Sequence, residues 1–184
     1  MKKVFTTILI AVIALSVIFI PSYNSLVTQK EEVNGQWAQV ENQLKRRSDL
    51  IPNIVNTVKG YANHENKTFT ELAKARSGIE DAKTIEEYED ANKDMDKALA
   101  NLNVVVEAYP ELKADKSFEN LQVNLEGTEN RISTERMRYN ELVKKYNTNV
   151  KKFPKNIIAT ILGFSSMNYF QIDKADSEVP SVSF

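Results

Sequence analysis

Between residues 23 and 44, Tyr23, Leu26, Val33, Trp37, Val40 and Leu44 fall on one register. With position 30 included, the steps alternate three and four. That is the seam of a helix lying lengthwise on other helices at a small crossing angle. The same steps run through Ile85, Tyr88, Met95, Leu99, Leu102 and Val106, and through Phe118, Leu121, Leu125, Ile132, Tyr139, Leu142 and Tyr146. Only five glycines and five prolines punctuate 184 residues, so few turns are available. A small number of long helices satisfies both facts better than a many-stranded sheet does.

Local signals divide the seam into four helices. The first is expected to stop near Arg46-Arg47-Ser48-Asp49, where basic residues suit a C-terminus and Ser48 or Asp49 can cap the next helix, with Pro52 in its first turn. The second carries Ile51, Ile54, Val55, Val58, Tyr61, Phe69, Leu72 and Ile79, with Gly78 near its end. Thr84 followed by Glu87 has capping-box spacing and opens the third, which Tyr109-Pro110 ends. The fourth runs from about Asp115 to Lys152. Short connections join antiparallel neighbours, so the expected fold is all-α, an antiparallel up-down four-helix bundle behind an N-terminal transmembrane helix.

That transmembrane helix is read from Val4 to Ile20, seventeen residues without a charge behind Met1-Lys2-Lys3. Extended toward Gln29 it reaches the roughly 20 residues that cross a hydrocarbon core of about 30 Å. A cleaved signal peptide would also begin with lysines and an apolar run. It needs small residues before the cut; Ala14-Leu15-Ser16 has that form but lies inside the run, and the surroundings of Pro21 fit poorly. An apolar helix buried in the domain is the third reading. The anchor gives a single-pass protein of the cell membrane, with residues 1–3 as a tail, 4–21 as the anchor, 22–153 as the bundle, 154–172 as an apolar extension and 173–184 as a disordered tail. Lys2 and Lys3 precede the anchor and the next charge is Lys30, so the positive-inside rule puts the N-terminus in the cytoplasm and the bundle outside.

Composition narrows the chemistry. A formal net charge of −1 gives no electrostatic case for nucleic acid. Cysteine is absent, which excludes disulfides, thiolate metal sites, a cysteine nucleophile and lipidation. His64-Glu65 begins like a zinc-protease helix, but Thr68 stands where a second histidine would be, and His64 is the only histidine. Asp90, Asn92, Asp94 and Asp96 alternate like calcium-loop ligands, yet Met95 occupies the glycine position, so a solvated helix face explains them better. No Gly-x-Ser-x-Gly elbow and no glycine-rich phosphate loop occur. The expectation is a non-enzyme without metal or cofactor.

Several segments together resemble the LemA family: Tyr23-Asn24-Ser25-Leu26-Val27, Trp37, Leu44 to Asn53, Val58 to Glu65, Val106 to Pro110, Leu125-Glu126-Gly127-Thr128-Glu129-Asn130-Arg131-Ile132, Arg136, Tyr139-Asn140, Tyr146-Asn147, Phe153-Pro154 and Tyr169-Phe170. The resemblance covers nearly the whole chain after the anchor. It implies an N-terminal membrane helix and a helical bundle, and it implies no established molecular function. It also implies an N-terminus outside the cell, the opposite of the orientation read from Lys2 and Lys3.

Two residue sets remain as candidate sites. Arg46, Arg47 and Asp49, with Glu129, Arg131, Glu135 and Arg136, form a charged set in which Thr128 and Glu135 fall on core-register positions. Buried charge has to be paired, so the set reads either as a salt-bridge network fixing helix register or as a polar surface for a partner. Lys151, Lys152, Lys155, Ile157, Ile158, Ile161, Leu162, Phe164, Tyr169 and Phe170 read either as a contact with the lipid bilayer or as a cap on the bundle. The expected function is a scaffold or adaptor that binds another membrane or envelope protein; the alternative is a lipid- or peptide-binding module at the membrane surface.

Overall fold

The computed structural model describes residues 2–62 and 64–171, without the side chains of residues 2, 11, 12, 14 and 15. The expected disordered tail, 173–184, lies outside the described residues. The described chain is helical, without strands: α1 Lys2–Lys59, α2 Asn66–Asp81, α3 Ile85–Ala108, α4 Pro110–Lys113, α5 Lys116–Lys151 and α6 Lys155–Leu162. It divides into two compact units. Residues 1–38 and 137–169 form unit 1, and residues 39–136 with the chain from Phe170 form unit 2.

The helix boundaries correct one expectation. No break occurs at Arg46–Asp49; α1 continues through Pro52 to Lys59. A proline inside a helix costs about 3 kcal/mol relative to alanine. Ile51, Ile54 and Val58, each 1% exposed or less, outweigh it, since full burial of such a side chain is worth about 1.5–3 kcal/mol. The turn falls instead at residues 60–65, where Gly60 and Tyr61 close hydrogen bonds back to Thr57 and Val58. Tyr61, read as a seam residue, is exposed there.

Other boundaries follow the local signals. Thr84 Oγ1 accepts the Glu87 N–H at 3.2 Å and Glu87 Oε2 accepts the Thr84 N–H at 3.1 Å, so the capping box forms. α3 ends at Ala108 and Pro110 opens α4. Asp115 Oδ1 accepts the N–H groups of Ser117 and Phe118 at 2.8 and 2.9 Å at the start of α5, while its other oxygen takes the Tyr61 hydroxyl at 2.8 Å. Those donors hold the Asp115 carboxyl below its ordinary value, the Phe118 N–H most of all. α6 closes on Gly163, whose φ of 75° lies in the left-handed region that side chains with a Cβ disfavour.

In unit 2 the core is the seam of α1, α2, α3 and α5. Leu44, Ile54, Leu72, Met95, Leu102 and Ile132 are buried. Leu125, expected with them, is half-buried. α2 and α3 approach closely: a Cβ on Gly78 would stand 3.3 Å from that of Ala91.

In unit 1, α6 folds against α1, with Ile158 and Ala159 on Leu26 and with Val150 and Phe164 beside them. Residues after Gly163 run along α5: Asn147 exchanges two hydrogen bonds with Met167, at 2.8 and 2.9 Å, and the Tyr139 hydroxyl donates to Asn168 O at 2.9 Å. Trp37, expected in the core, is only half-buried and meets the Tyr139 ring edge-on at 5.4 Å. Tyr23, at the head of the seam, is 42% exposed and packs edge-on against Phe164.

The apolar run at the start of α1 is helical, and its described side chains pack on little. Phe5, Ile8, Ile10, Ile13 and Val17 are each more than half exposed. Among the described residues no helix is long and apolar enough to cross a membrane. The undescribed side chains of Ala11, Val12, Ala14 and Leu15 fall inside this run.

Candidate functional site: a buried arginine and an exposed apolar surface

Arg47 is the charged side chain that the helix register drives inward. It stands three residues after Leu44 and four before Ile51, on the seam, and is 6% exposed. A guanidinium at such a position is tolerable only if it is paired. Its Nη2 lies 2.7 Å from Asp96 Oδ1, its Nη1 lies 2.8 Å from Glu129 Oε2, and Nη1 also donates to Asn92 Oδ1 at 3.1 Å. Asn92 in turn donates to Asp96 at 3.2 Å. One cation from α1 is therefore shared by two carboxylates, from α3 and α5, and by an amide of α3. Both carboxylates keep 43–50% of their side-chain surface, so water still solvates their outer oxygens. A second cross-link sits one turn away, where the Tyr88 hydroxyl donates to Glu41 at 2.9 Å. Burial pushes the Tyr88 phenol up, with the Glu41 bond adding to it. Lys45, and to a smaller extent Tyr88, hold the Glu41 carboxyl down.

Beside Arg47 a cavity of about 190 Å³ opens between apolar walls that include Ile54, Leu102, Phe118 and Leu125. Its polar lining is Arg47, Asn103, Gln122, Glu126 and Glu129. That lining holds no hydroxyl, imidazole, amine or thiol. It can recognise by hydrogen bonding and charge.

Of the charged set proposed from sequence, the structure brings Arg47 and Glu129 together. Arg46, Asp49 and Arg131 are exposed and add no ion pair to the cluster. Glu135 is half-buried. Arg136 is also half-buried and lies over the Phe170 ring, 5.8 Å from its centre. Asp90, Asp94 and Asp96 lie on a solvated face as expected, and Asn92, 7% exposed, departs from it. The missed signal was register: Asn92 falls four residues after Tyr88 and three before Met95, a seam position facing inward. Asp96 follows it by one turn.

The second candidate set divides between solvent and core. Ile158 and Phe170, proposed as membrane contacts, are 6% and 1% exposed and belong to the protein interior, which corrects that reading for both. Phe164 is half-buried against Tyr23, with the Lys30 ammonium 5.9 Å from its ring centre. Lys155 is half-buried and donates to Ser25 Oγ at 2.9 Å. Lys151 and Lys152 are exposed, and so are Ile157, Ile161, Leu162 and Tyr169. Phe153, which precedes a cis peptide bond to Pro154, is 75% exposed. Phe153, Ile157 and Ile161 line one apolar groove of about 550 Å³ with Ile18, Phe19 and Ile20 of α1.

Comparison with known proteins gives one family and a few relatives. The family description "LemA family" matches residues 36–184. Magnetosome protein MamQ 2 of Paramagnetospirillum magneticum is 26% identical over 199 residues, covering 94% of this chain and 73% of that protein. Magnetosome protein MamQ of Magnetospirillum gryphiswaldense is 24% identical over 186 residues, covering 87% of this chain and 68% of that protein. Protein LemA of Metamycoplasma hominis is 22% identical over 160 residues, covering 86% and 73%.

Proposed function

The chain belongs to the LemA family, and from that premise we propose that it is a single-pass, membrane-anchored helical protein that works as a non-catalytic adaptor for another membrane or envelope protein. The observation behind the anchor is the exposed apolar surface of α1. Phe5 at 70%, Ile10 at 62% and Val17 at 67% exposure have no protein to cover them. A contiguous apolar surface of this kind is stable in water only when something covers it, and hydrocarbon covers a lone helix along its length. Lys2 and Lys3 before the run favour a cytoplasmic N-terminus and an extracytoplasmic bundle. The adaptor reading rests on the other site: the cavity beside Arg47 has amide and charged recognition groups on an apolar floor.

Alkaline carbonate extraction of membranes tests the anchor. The full chain stays in the pellet, and Ile10→Arg with Ile13→Arg moves it to the supernatant. Release of the unaltered chain would sink the proposal. A photo-crosslinker at Gln122 or Asn103 tests the adaptor: it captures a discrete protein partner in intact membranes, and repeated absence of any adduct counts against an adaptor.

A lipid-binding module is the second reading, favoured by exposed Lys151 and Lys152 next to the exposed apolar groove of α6.

A further inference from the structure

α6 carries apolar side chains on two faces, with Asn156 and Thr160 forming a polar strip between them. Ile158 and Ala159 fill the core against Leu26, yet Ile157 and Ile161 on the other side are 52% and 68% exposed. Protein covers one of the two apolar faces, and the other is left for a further apolar surface. The exposed face continues an apolar surface already present, because the groove it lines is completed by Phe19 and Ile20 of α1.

Part of the polar surface of α1 beyond that level is covered by protein. Ser22 and Gln29 are each 8% exposed. Gln29 donates to Ser25 Oγ at 2.8 Å and accepts from Asn149 at 2.6 Å, and Lys155 closes the set on Ser25. After Ile20, α1 turns polar on its exposed side as well, at Asn24 and Thr28, and charged from Lys30, while α6 supplies apolar surface beside it. Length gives the reason such a supply is needed. The seventeen residues from Val4 to Ile20 rise about 25 Å at about 1.5 Å each, short of a hydrocarbon core of about 30 Å. A span too short by a few ångströms is relieved by flanking groups that reach into the interface. Lys151 and Lys152, both exposed, stand at the end of α5, just before Phe153.

We propose that Phe153 and the exposed face of α6 form an interfacial collar on α1, which seats a phospholipid acyl chain in its groove while Lys151 and Lys152 hold the phosphate of an anionic headgroup. This deepens the anchor reading and rests on it. The collar sets the depth of the anchor, so the water boundary falls at α5's end rather than at Pro21. The two lysine ammoniums are attracted by the negative surface potential that anionic lipid gives a leaflet, which adds selectivity for anionic lipid.

The chain has no cysteine, so single-cysteine variants report position directly. The full chain is reconstituted in phosphatidylcholine vesicles, with or without phosphatidylglycerol, carrying an environment-sensitive dye at Ile8→Cys, Ile161→Cys or Val104→Cys. Ile8 and Ile161 are exposed on α1 and α6, and Val104 is 72% exposed on α3. Far-UV circular dichroism confirms that each variant keeps its helicity.

The expected result is quenching of the dyes at 8 and 161 by lipid-borne spin labels, deep for 8 and shallow for 161, with loss of quenching by aqueous iodide. The dye at 104 shows the reverse. Iodide quenching at 161 with lipid quenching at 8 overturns the collar and leaves the anchor standing. Shielding at 161 from both quenchers overturns it too, and assigns the face to a second copy or another protein. Iodide quenching at both 8 and 161 means that the anchor reading itself has failed. Adding phosphatidylglycerol strengthens lipid quenching at 161, and Lys151→Gln with Lys152→Gln abolishes that gain. An unchanged gain overturns the phosphate role of the lysines.

Discussion

The guanidinium of Arg47 on α1, 6% exposed, lies 2.8 Å from the carboxylate of Glu129 on α5. The pair favours one axial level, because sliding either helix by a turn would carry the guanidinium away from Glu129 and leave the charge without that partner. A single polar position in an apolar seam specifies register in this way at some cost in stability.

Removing Arg47 tests that role. Arg47→Ala loses about 3 kcal/mol, the low end for breaking a buried pair, because Asp96 and Glu129 are left half-solvated. Asp96→Asn alone costs less, since Glu129 still neutralises the cation. Asp96→Asn combined with Glu129→Gln costs more than the two single losses added, a coupling that reports the shared cation. Urea unfolding of all four variants, followed by circular dichroism, measures it. Simple additivity would show that the two carboxylates act independently.

Burial orders the apolar positions. Leu44→Ala, Ile54→Ala and Leu102→Ala each lose about 2–5 kcal/mol, the range for cavities left in a packed core. Leu125 is only half-buried at the cavity mouth, so Leu125→Ala loses about 1 kcal/mol. The same unfolding curves decide, and an equal loss at all four positions would contradict the burial pattern.

Helical glycines offer stabilisation. Gly35 and Gly127 lie inside α1 and α5 with open space where a Cβ would go. Gly35→Ala and Gly127→Ala each raise stability by about 0.5–1 kcal/mol through lower unfolded-chain entropy and better helix propensity. Gly163→Ala has the opposite sign, losing about 1–2 kcal/mol, because the native φ is left-handed. Melting temperatures in a mild denaturant give the signs directly.

Acid weakens the helix N-termini of unit 2. The Asp115 carboxyl is held below its ordinary value of 3.8 by the Phe118 N–H, and Glu87 below its ordinary 4.5 by the N–H groups of Lys83 and Thr84. A carboxyl depressed in the folded state stabilises it fully above the unfolded value, and that stability is lost as pH falls through the folded one. The melting temperature therefore drops on going from pH 5 toward pH 2. Asp115→Asn with Glu87→Gln flattens that drop. A slope unchanged by both substitutions would show that the capping carboxylates do not contribute to it.

Helix content, the seam and several caps were legible in the residues. Periodicity determined which face of each segment turns inward, and Thr84 with Glu87 located the start of α3, since these are local properties of the chain. The same periodicity concealed where the chain turns. Val58, Phe69, Leu72 and Ile79 keep one register across residues 60–65, so a helix and a helical hairpin leave the same imprint. Arg46 to Pro52 carries stop signals, yet the helix continues because burial of Ile51, Ile54 and Val58 outweighs a local propensity cost. Register also placed Arg47 and Asn92 on the inward face, but a one-dimensional pattern cannot say which helix stands opposite. Only the packing of α1, α3 and α5 brought Arg47, Asn92, Asp96 and Glu129 to one level. For α6 the sequence determined a run of apolar residues, and the tertiary structure decided that Ile158 is core while Ile157 and Ile161 stay exposed. Hydrophobicity determines that a side chain leaves water; contact with other elements decides what it meets.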